Sequence, residues 1–295
     1  MSRYKTPLRY PGGKQKLAPF IEEIIEENSL DGGDYAEPYA GGAGVAIELL
    51  LRGTVGHIHL NDSCDGVYAF WHSIIRNTEA FCRRVSGASL TIKEWQRQKE
   101  ILSRPKEFDL LDVGFSMFYL NRCNRSGIIS AGVIGGLNQS GRWKMDARFS
   151  RNNLITRIEA IGAKAESISI MNWDAERFLK KYLPLLPKKS LIYCDPPYFH
   201  KAERLYLNHY HAADHARLAK VILKLRQPWL VSYDTAREIL DYYSEQRSFD
   251  YTLQYNAAKA YLGSEVFFFS GRLKLPARSS IESIDIALQN LSLRS

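Results

Sequence analysis

The sequence predicts an α/β protein with a mostly parallel, doubly wound sheet, a C-terminal antiparallel hairpin and an inserted, mainly helical stretch. Three observations predict it. Apolar runs of strand length alternate with stretches of helical period in the first third of the chain and again beyond residue 166. Between about Arg76 and Ala165 the alternation stops: helical stretches come first, then a loop rich in Gly, Asn, Ser and Arg over residues 121–153. The last two strand-like runs, 251–255 and 265–270, follow one another without a helix, as in a hairpin.

In chain order, Leu17, Phe20, Ile21, Ile24 and Ile25 recur at helical spacing, so residues 14–27 read as an amphipathic helix. Residues 34–37 read as a short strand, followed by a glycine-rich turn and a helix over 44–51. A second strand over 57–60 runs into Asn61 and Asp62 and leads to a helix through Trp71. Further strands cover 167–171, 190–194 and 229–233, separated by helical stretches. A long polar loop inside a compact chain usually serves a function, so the middle stretch reads as an insertion. The expected division is a discontinuous catalytic domain of residues 1–75 and 166–273, an inserted domain of 76–165, and a C-terminal extension of 274–295.

At 295 residues, with 45% hydrophobic and 12% aromatic residues, the chain is long enough to bury a full core. No apolar run approaches the ~20 residues of a membrane span, and residues 1–7 lack the apolar segment of a secretory signal. Cys64, Cys82, Cys123 and Cys194 are scattered, with no Cys-x-x-Cys pair, which argues against a disulfide framework and a zinc site alike. A soluble, reduced, cytoplasmic protein is expected. The net charge is +8, and sixteen Lys or Arg against eight Asp or Glu between Arg76 and Lys164 account for all of that surplus. A localised basic excess is what a polyanion-binding surface needs.

The most informative stretch is Asp195-Pro196-Pro197-Tyr198, which follows the strand over 190–194. An aspartate and the carbonyl of a proline that cannot swing away can together accept both hydrogens of a planar –NH₂. The tyrosine after them offers a flat face for a heterocycle. Glu37-Pro38-Tyr39-Ala40-Gly41-Gly42-Ala43-Gly44-Val45 follows a strand and opens a helix, and its glycines let the backbone pass close to a ligand. Asp62 ends the next strand, 25 positions beyond Glu37, where a carboxylate can take both ribose hydroxyls of a nucleoside. Asn172-Trp173-Asp174 puts another acid at the same sheet edge. No Walker-type lysine follows the glycines, and so many carboxylates repel phosphates. A cationic nucleoside such as the sulfonium of S-adenosylmethionine suits that edge better.

With Thr6-Pro7-Leu8-Arg9-Tyr10-Pro11-Gly12-Gly13-Lys14 and Leu60-Asn61-Asp62, these motifs make most of the chain resemble the amino-methyltransferases that act on adenine in DNA. Their order is similar to that of the Dam-type (alpha) group, with the target-recognition segment between the glycine loop and Asp195. The resemblance implies a Rossmann-like class I methyltransferase fold, S-adenosylmethionine as methyl donor with S-adenosylhomocysteine as product, and double-stranded DNA as partner. Tyr10, Lys14, Glu37, Pro38, Tyr39, Gly41, Asp62 and Asp195 are then expected at the cofactor, with Asp174 near its adenine. Asp195, Pro196, Pro197 and Tyr198 are expected to hold the target base. Asn121, Arg122, Arg125, Ser126 and Arg142 are expected at the DNA. One departure is Tyr39, where the family commonly has Phe; both are flat and apolar. A monomer is expected, with a cognate restriction endonuclease or a defence component as a further partner.

The implied reaction moves a methyl group onto the exocyclic amino nitrogen of adenine, a poor nucleophile whose lone pair is delocalised into the ring. Positioning and electrostatics suffice, without a metal or a prior general base. The base must leave the duplex, at a cost of a few kcal/mol. Alternatives are adenine in RNA, cytosine in DNA, a protein glutamine, or a silent DNA-binding protein of the same fold. The family's cytosine enzymes commonly carry Ser before Pro-Pro-Tyr and its glutamine enzymes Asn, so Asp195 favours adenine. His209, His211 and His215 with Asp214 imitate a metal set, but Asp214 reads better as a helix N-cap. Cys194 reads as a buried strand residue. Arg142 and Trp143 either insert into DNA or pack their loop.

Overall fold

The computed structural model describes residues 5–9, 14–199, 210–256 and 260–292. Seven strands form one sheet in the order β3-β2-β1-β4-β5-β7-β6. They are β1 (Asp34–Glu37), β2 (His57–Asn61), β3 (Ile168–Met171), β4 (Ser190–Cys194), β5 (Trp229–Asp234), β6 (Arg247–Asn256) and β7 (Ala260–Phe269). The first five are mutually parallel, and β7 runs antiparallel to both β5 and β6. The doubly wound sheet with a terminal hairpin is therefore as the sequence predicts. Both hairpin strands are longer than expected: β6 begins at Arg247, opposite Phe269, and β7 begins at Ala260, opposite Asn256.

Helices cover both faces, as parallel strands require. The alternation along β4 makes this visible: Leu191 and Tyr193 join one apolar cluster, Ile192 and Cys194 another. On the first face lie α1 (Ala18–Glu27), entered through a 3₁₀ turn Lys14–Leu17, α2 (Gly44–Arg52) and α3 (Asp65–Arg76). Phe20 of α1 meets Phe267 of β7 with ring centroids 5.5 Å apart. On the second face lie a short turn α8 (Ala175–Arg177) that continues as a π-helical turn Phe178–Tyr182, then α9 (Ala212–Ile222) and α10 (Arg237–Tyr242). A C-terminal helix α11 (Glu282–Ser292) buries Ile284 and Leu288 in the first cluster.

Residues 76–165 supply α4 (Thr78–Ser86), α5 (Ile92–Ser103), α6 (Leu110–Cys123) and α7 (Arg151–Gly162), and no strand. Within the long polar loop, α6 runs three residues further than expected and α7 starts three earlier; between them a bridge pairs Asn124 with Val133. Most of this stretch shares the main core, since Phe81, Phe118, Leu154 and Ile158 belong to the same cluster as Phe20 and Ile58, while Ile101 and Val113 pack with Ala69 of α3 in a small separate cluster. Phe118 stacks on Phe70 of α3 at 6.0 Å, nearly parallel. The helices cross closely at Gly114, where an added Cβ would lie 2.5 Å from the carbonyl oxygen of Ala69. The insertion is thus packed firmly onto α3, which leaves the end of β2. No described helix is long and apolar enough to cross a membrane.

Candidate active site

Ligands of open α/β sheets bind outside the carboxyl ends of the strands, where the winding reverses. Here that point lies between β1 and β4, so the loops after Glu37 and Cys194 flank it. The turn after β1 reaches α2 through left-handed conformations at Gly41 (φ 44°) and Ala43 (φ 42°). It comes so close to the 3₁₀ turn that a Cβ on Gly44 would sit 2.9 Å from Cβ of Gln15. The Gly41 N–H donates to Asp62 Oδ2 at 2.8 Å, and its carbonyl accepts from Trp71 Nε1 at 2.9 Å. Asp62 Oδ1 takes the Cys64 N–H at 2.9 Å. Burial raises the Asp62 pKa while these two N–H groups oppose the shift. Each oxygen keeps lone pairs for a sugar hydroxyl.

Asn61, present in the Leu60-Asn61-Asp62 motif but not among the expected site residues, ties three strand ends together. Its Nδ2 donates to the carbonyls of Pro38 and Trp173, both at 3.0 Å, and its Oδ1 accepts the Trp173 N–H at 3.0 Å. It is fully buried, and only its place at a strand end before Asp62 hinted at such a role. Asp174 caps α8 through Oδ1, which accepts the N–H groups of Glu176 (3.0 Å) and Arg177 (3.3 Å), and it is exposed. Tyr39 meets Tyr210 hydroxyl to hydroxyl at 3.2 Å. Tyr10 lies outside the described residues.

Glu37 faces the interior beneath the glycine loop. Its Oε1 accepts the Ala46 N–H and the Tyr35 hydroxyl, both at 3.1 Å, so it satisfies a free N–H in the first turn of α2. Burial raises its pKa to about 8, against the pull of those hydrogen bonds. The folded chain therefore holds a proton there that the unfolded chain loses from about pH 4.3. Stability contributed by this group falls as pH rises from there to about 8. Glu37→Gln should remove that slope, flattening the melting temperature between pH 5 and 8. A variant with the slope of the parent would show Glu37 to be ionised throughout.

Asp195 follows β4 directly, and four groups converge on it and its neighbours. Ser232 Oγ donates to Asp195 Oδ1 at 2.7 Å, and Lys14 Nζ approaches the same oxygen at 3.3 Å. Both partners thus sit on Oδ1, and among the described residues Oδ2 remains for another donor. Lys14 also pairs with Glu265 Oε2 and lies 3.3 Å from the Tyr198 hydroxyl. Tyr198 donates to Glu265 Oε1 at 2.5 Å, and Tyr251 donates to Oε2 at 2.5 Å. Burial raises the Asp195 pKa; Lys14 opposes that and the Glu265 charge adds to it. Burial would lower the Lys14 pKa, yet the negative charges around it hold it well above the ordinary lysine value. Lys14, expected at the cofactor, is turned toward the Asp195 group. Tyr198 is 7% exposed with its hydroxyl anchored, and Pro196 is buried. Glu265 and Tyr251 carry no motif and were missed.

Two of the residues expected at the DNA point inward. Asn121 clamps the backbone of Arg9, accepting its N–H and donating to its carbonyl, both at 2.7 Å. Arg122 donates to the carbonyls of Arg148 (2.8 Å) and Pro7 (3.3 Å), while Arg157 holds the carbonyl of Thr6 at 3.1 Å. Thr6 in turn donates to the Gly42 carbonyl at 2.6 Å. These side chains therefore hold the Thr6–Arg9 segment between the insertion and the glycine loop instead of facing outward. Burial and the neighbouring Arg9, Arg157 and Arg148 depress the Arg122 pKa to about 9. Arg125 and Arg142 are exposed, and Ser126 is half-buried with φ 57°. The Arg142 guanidinium lies 5.5 Å from the ring centre of Trp143, which is 65% exposed.

Asp214 does not cap α9 as the N-cap residue. That place is His211, whose N–H donates to Asp214 Oδ2 at 2.9 Å from the third helical position. His215 is buried against the Tyr233 hydroxyl at 2.9 Å, and His209 lies outside the described residues. Among the described residues no three His, Cys, Asp or Glu gather as a metal set. Cys194 is buried, and burial raises its thiol pKa.

The sequence model of the D12 class N6 adenine-specific DNA methyltransferases matches residues 10–257. No curated protein matches the chain. Among solved structures, a provisionally assigned RNA methyltransferase from Pyrococcus horikoshii is similar at 9% identity, with 89% of this chain and 85% of that one covered and a TM-score of 0.42. The rRNA methyltransferase AviRa from Streptomyces viridochromogenes is 14% identical, covering 88% and 86%, with a TM-score of 0.38. A conserved hypothetical protein of Streptococcus pyogenes is 12% identical, covering 83% and 89%, with a TM-score of 0.32.

Proposed function

Because the chain belongs to the D12 class N6 adenine-specific DNA methyltransferase family, we propose that it methylates the exocyclic amino group of adenine at a specific site in double-stranded DNA, with the base flipped out of the helix. The observation that carries this reading is the two-sided environment of Asp195: among the described residues Ser232 and Lys14 both sit on Oδ1, which leaves Oδ2 to accept from an –NH₂. The Pro196 carbonyl, fixed by the ring that bears it, is the second acceptor. Together they draw both amino hydrogens to one side and turn the nitrogen lone pair to the other. That alignment is worth about 7–11 kcal/mol of barrier when it is near ideal. The proton leaves once the nitrogen has become cationic, with Asp195 Oδ2 the nearest acceptor. Tyr198 supplies the flat ring beside the base, at ~1–3 kcal/mol for a stacked base.

The residues at the strand ends fit S-adenosylmethionine. Asp62 retains lone pairs for the ribose, Asp174 has an oxygen not used in capping, and the acidic edge complements a sulfonium. When bound, that cofactor supplies the electrophilic methyl group and leaves as S-adenosylhomocysteine. Residues 76–165 serve as the target-recognition part. Their basic surplus suits a duplex, with Arg125, Ser126 and Arg142 as its outward contacts and Trp143 beside them. The Dam-type arrangement of motifs, with the recognition segment ahead of Asp195, supports the same assignment.

The test is base-resolved mapping of native genomic DNA after expression in a methylation-deficient bacterial host, with Asp195→Ala as control. Methyladenine in one short motif, absent from the control, is the expected result. Modified cytosine, or methyladenine confined to RNA, would replace this reading with another.

A further inference from the structure

Glu265 is a carboxylate in the middle of the antiparallel end of the sheet, opposite Asp234 on β5 and Tyr251 on β6. It is 2% exposed. A buried charge is costly unless it is paired and hydrogen-bonded, and Glu265 meets that condition through three groups. Tyr198 donates to Oε1 at 2.5 Å, Tyr251 donates to Oε2 at 2.5 Å, and the Lys14 ammonium pairs with Oε2. Two of those three belong to the reacting part of the site. Tyr198 closes the Asp-Pro-Pro-Tyr stretch, and Lys14 is one of the two donors on Asp195 Oδ1.

We propose that Glu265 is a positioning residue for methyl transfer: from behind the site it fixes the plane of the Tyr198 ring and anchors the Lys14 ammonium on Asp195 Oδ1, so that Oδ2 is presented to the amino group of the substrate. This rests on the reading of Asp195 given above. Glu265 touches neither base nor cofactor in this scheme. It acts through Tyr198, the ring proposed beside the base, and through Lys14, which holds Asp195, and a shift of about 1 Å at a reacting group costs on the order of 10²-fold in rate.

The local charge has the same logic. Asp195 and Glu265 are two acids set on one cation, Lys14, so each acid acts on the charge of the other. Among the described residues, the ionisable groups around Glu265 are Lys14, Asp195, Tyr193, Tyr198 and Tyr251, with Asp234 opposite it on β5. Of these, Asp195 has its pKa raised by the Glu265 charge.

Glu265→Gln keeps the shape but turns an amide N–H₂ either toward Lys14 and Tyr251 or toward Tyr198. The single-turnover rate on an adenine-containing duplex should fall on the order of 10²-fold, with the S-adenosylmethionine Kd within about threefold. The acid limb of the rate profile should move to lower pH, because Asp195 loses a neighbouring negative charge, and Glu265→Asp should return that limb to its place. A crystal structure of Glu265→Gln should show the Tyr198 ring displaced and Lys14 withdrawn from Asp195. A variant whose rate stays within about threefold of the parent overturns the proposal. So does one whose rate, cofactor affinity and melting temperature fall together with the acid limb unmoved, since that describes a merely structural residue. If the parent chain methylates no adenine, the substrate reading fails, and the crystal structure still decides whether Glu265 holds Tyr198 and Lys14.

Discussion

Asp195→Ala should reduce methyl transfer by at least about 10³-fold, the upper end of what losing a single preorganised hydrogen-bonding group costs, while DNA affinity stays within about tenfold. The two expectations follow from different parts of the molecule. In the proposed reaction Asp195 Oδ2 is the acceptor that orients the amino nitrogen, and without it that nitrogen would keep its lone pair in the ring. Under the proposed function, affinity for DNA should come mainly from residues 76–165, whose surplus of positive charge would release counterions from a duplex. The fold should survive, because Ser232 keeps Tyr193 as a partner at 2.8 Å and Lys14 keeps Glu265. Single-turnover kinetics and a salt-controlled binding titration measure both quantities. Substantial turnover by the variant would mean that a different acid aims the amine.

Lys14→Met should be the most damaging change to stability in the site, at about 3–5 kcal/mol, the usual cost of removing one member of a buried ion pair. Lys14 and Glu265 have side chains only 6% and 3% exposed, so water does little to replace the lost charge. What remains is two carboxylates facing each other, and one must take up a proton. A carboxyl whose folded pKa is raised loses stability as pH rises. The deficit should therefore be smallest in acid and widen toward neutrality. Thermal melts from pH 5 to pH 8 read this directly, and adding Glu265→Gln to the variant should recover part of the loss. An unchanged melting temperature at pH 8 would show that the two acids need no counter-ion.

The parallel half of the fold was legible because each strand announces its end. A run of apolar residues closes on Glu37, Asp62, Asp174 or Asp195, and the following stretch changes to helical period. The same signals marked the glycine loop and Asp195 at the carboxyl end of the sheet. Residues inside regular elements were not legible. Glu265 stands among the apolar residues of β7, and alternation alone does not tell which face of a strand near a sheet edge is closed by its partners. Asn61 is polar at a strand end, where a solvent-facing residue is the ordinary expectation. Asn121 and Arg122 end α6, a helix buried on every side from Val113 to Cys123. A helix without a polar face gives no sign of which way its last residues point. In each case the deciding fact is a partner more than 100 positions away in the chain, or one that only the pairing of β5, β6 and β7 brings near.

The pairing of Lys14 with Glu265 closes a loop of 251 positions. β7 lies between β5 and β6 in the sheet, so β6, although made first, can join only after β7 is in place. Contacts this distant in sequence form slowly and last. While the chain is being made, then, the cation beside Asp195 is present almost from the start and its second carboxylate arrives near the end. Under the proposed function, methylating capacity should accordingly appear all at once with the arrival of the hairpin, and a ribosome-bound chain still lacking it should be inert toward DNA.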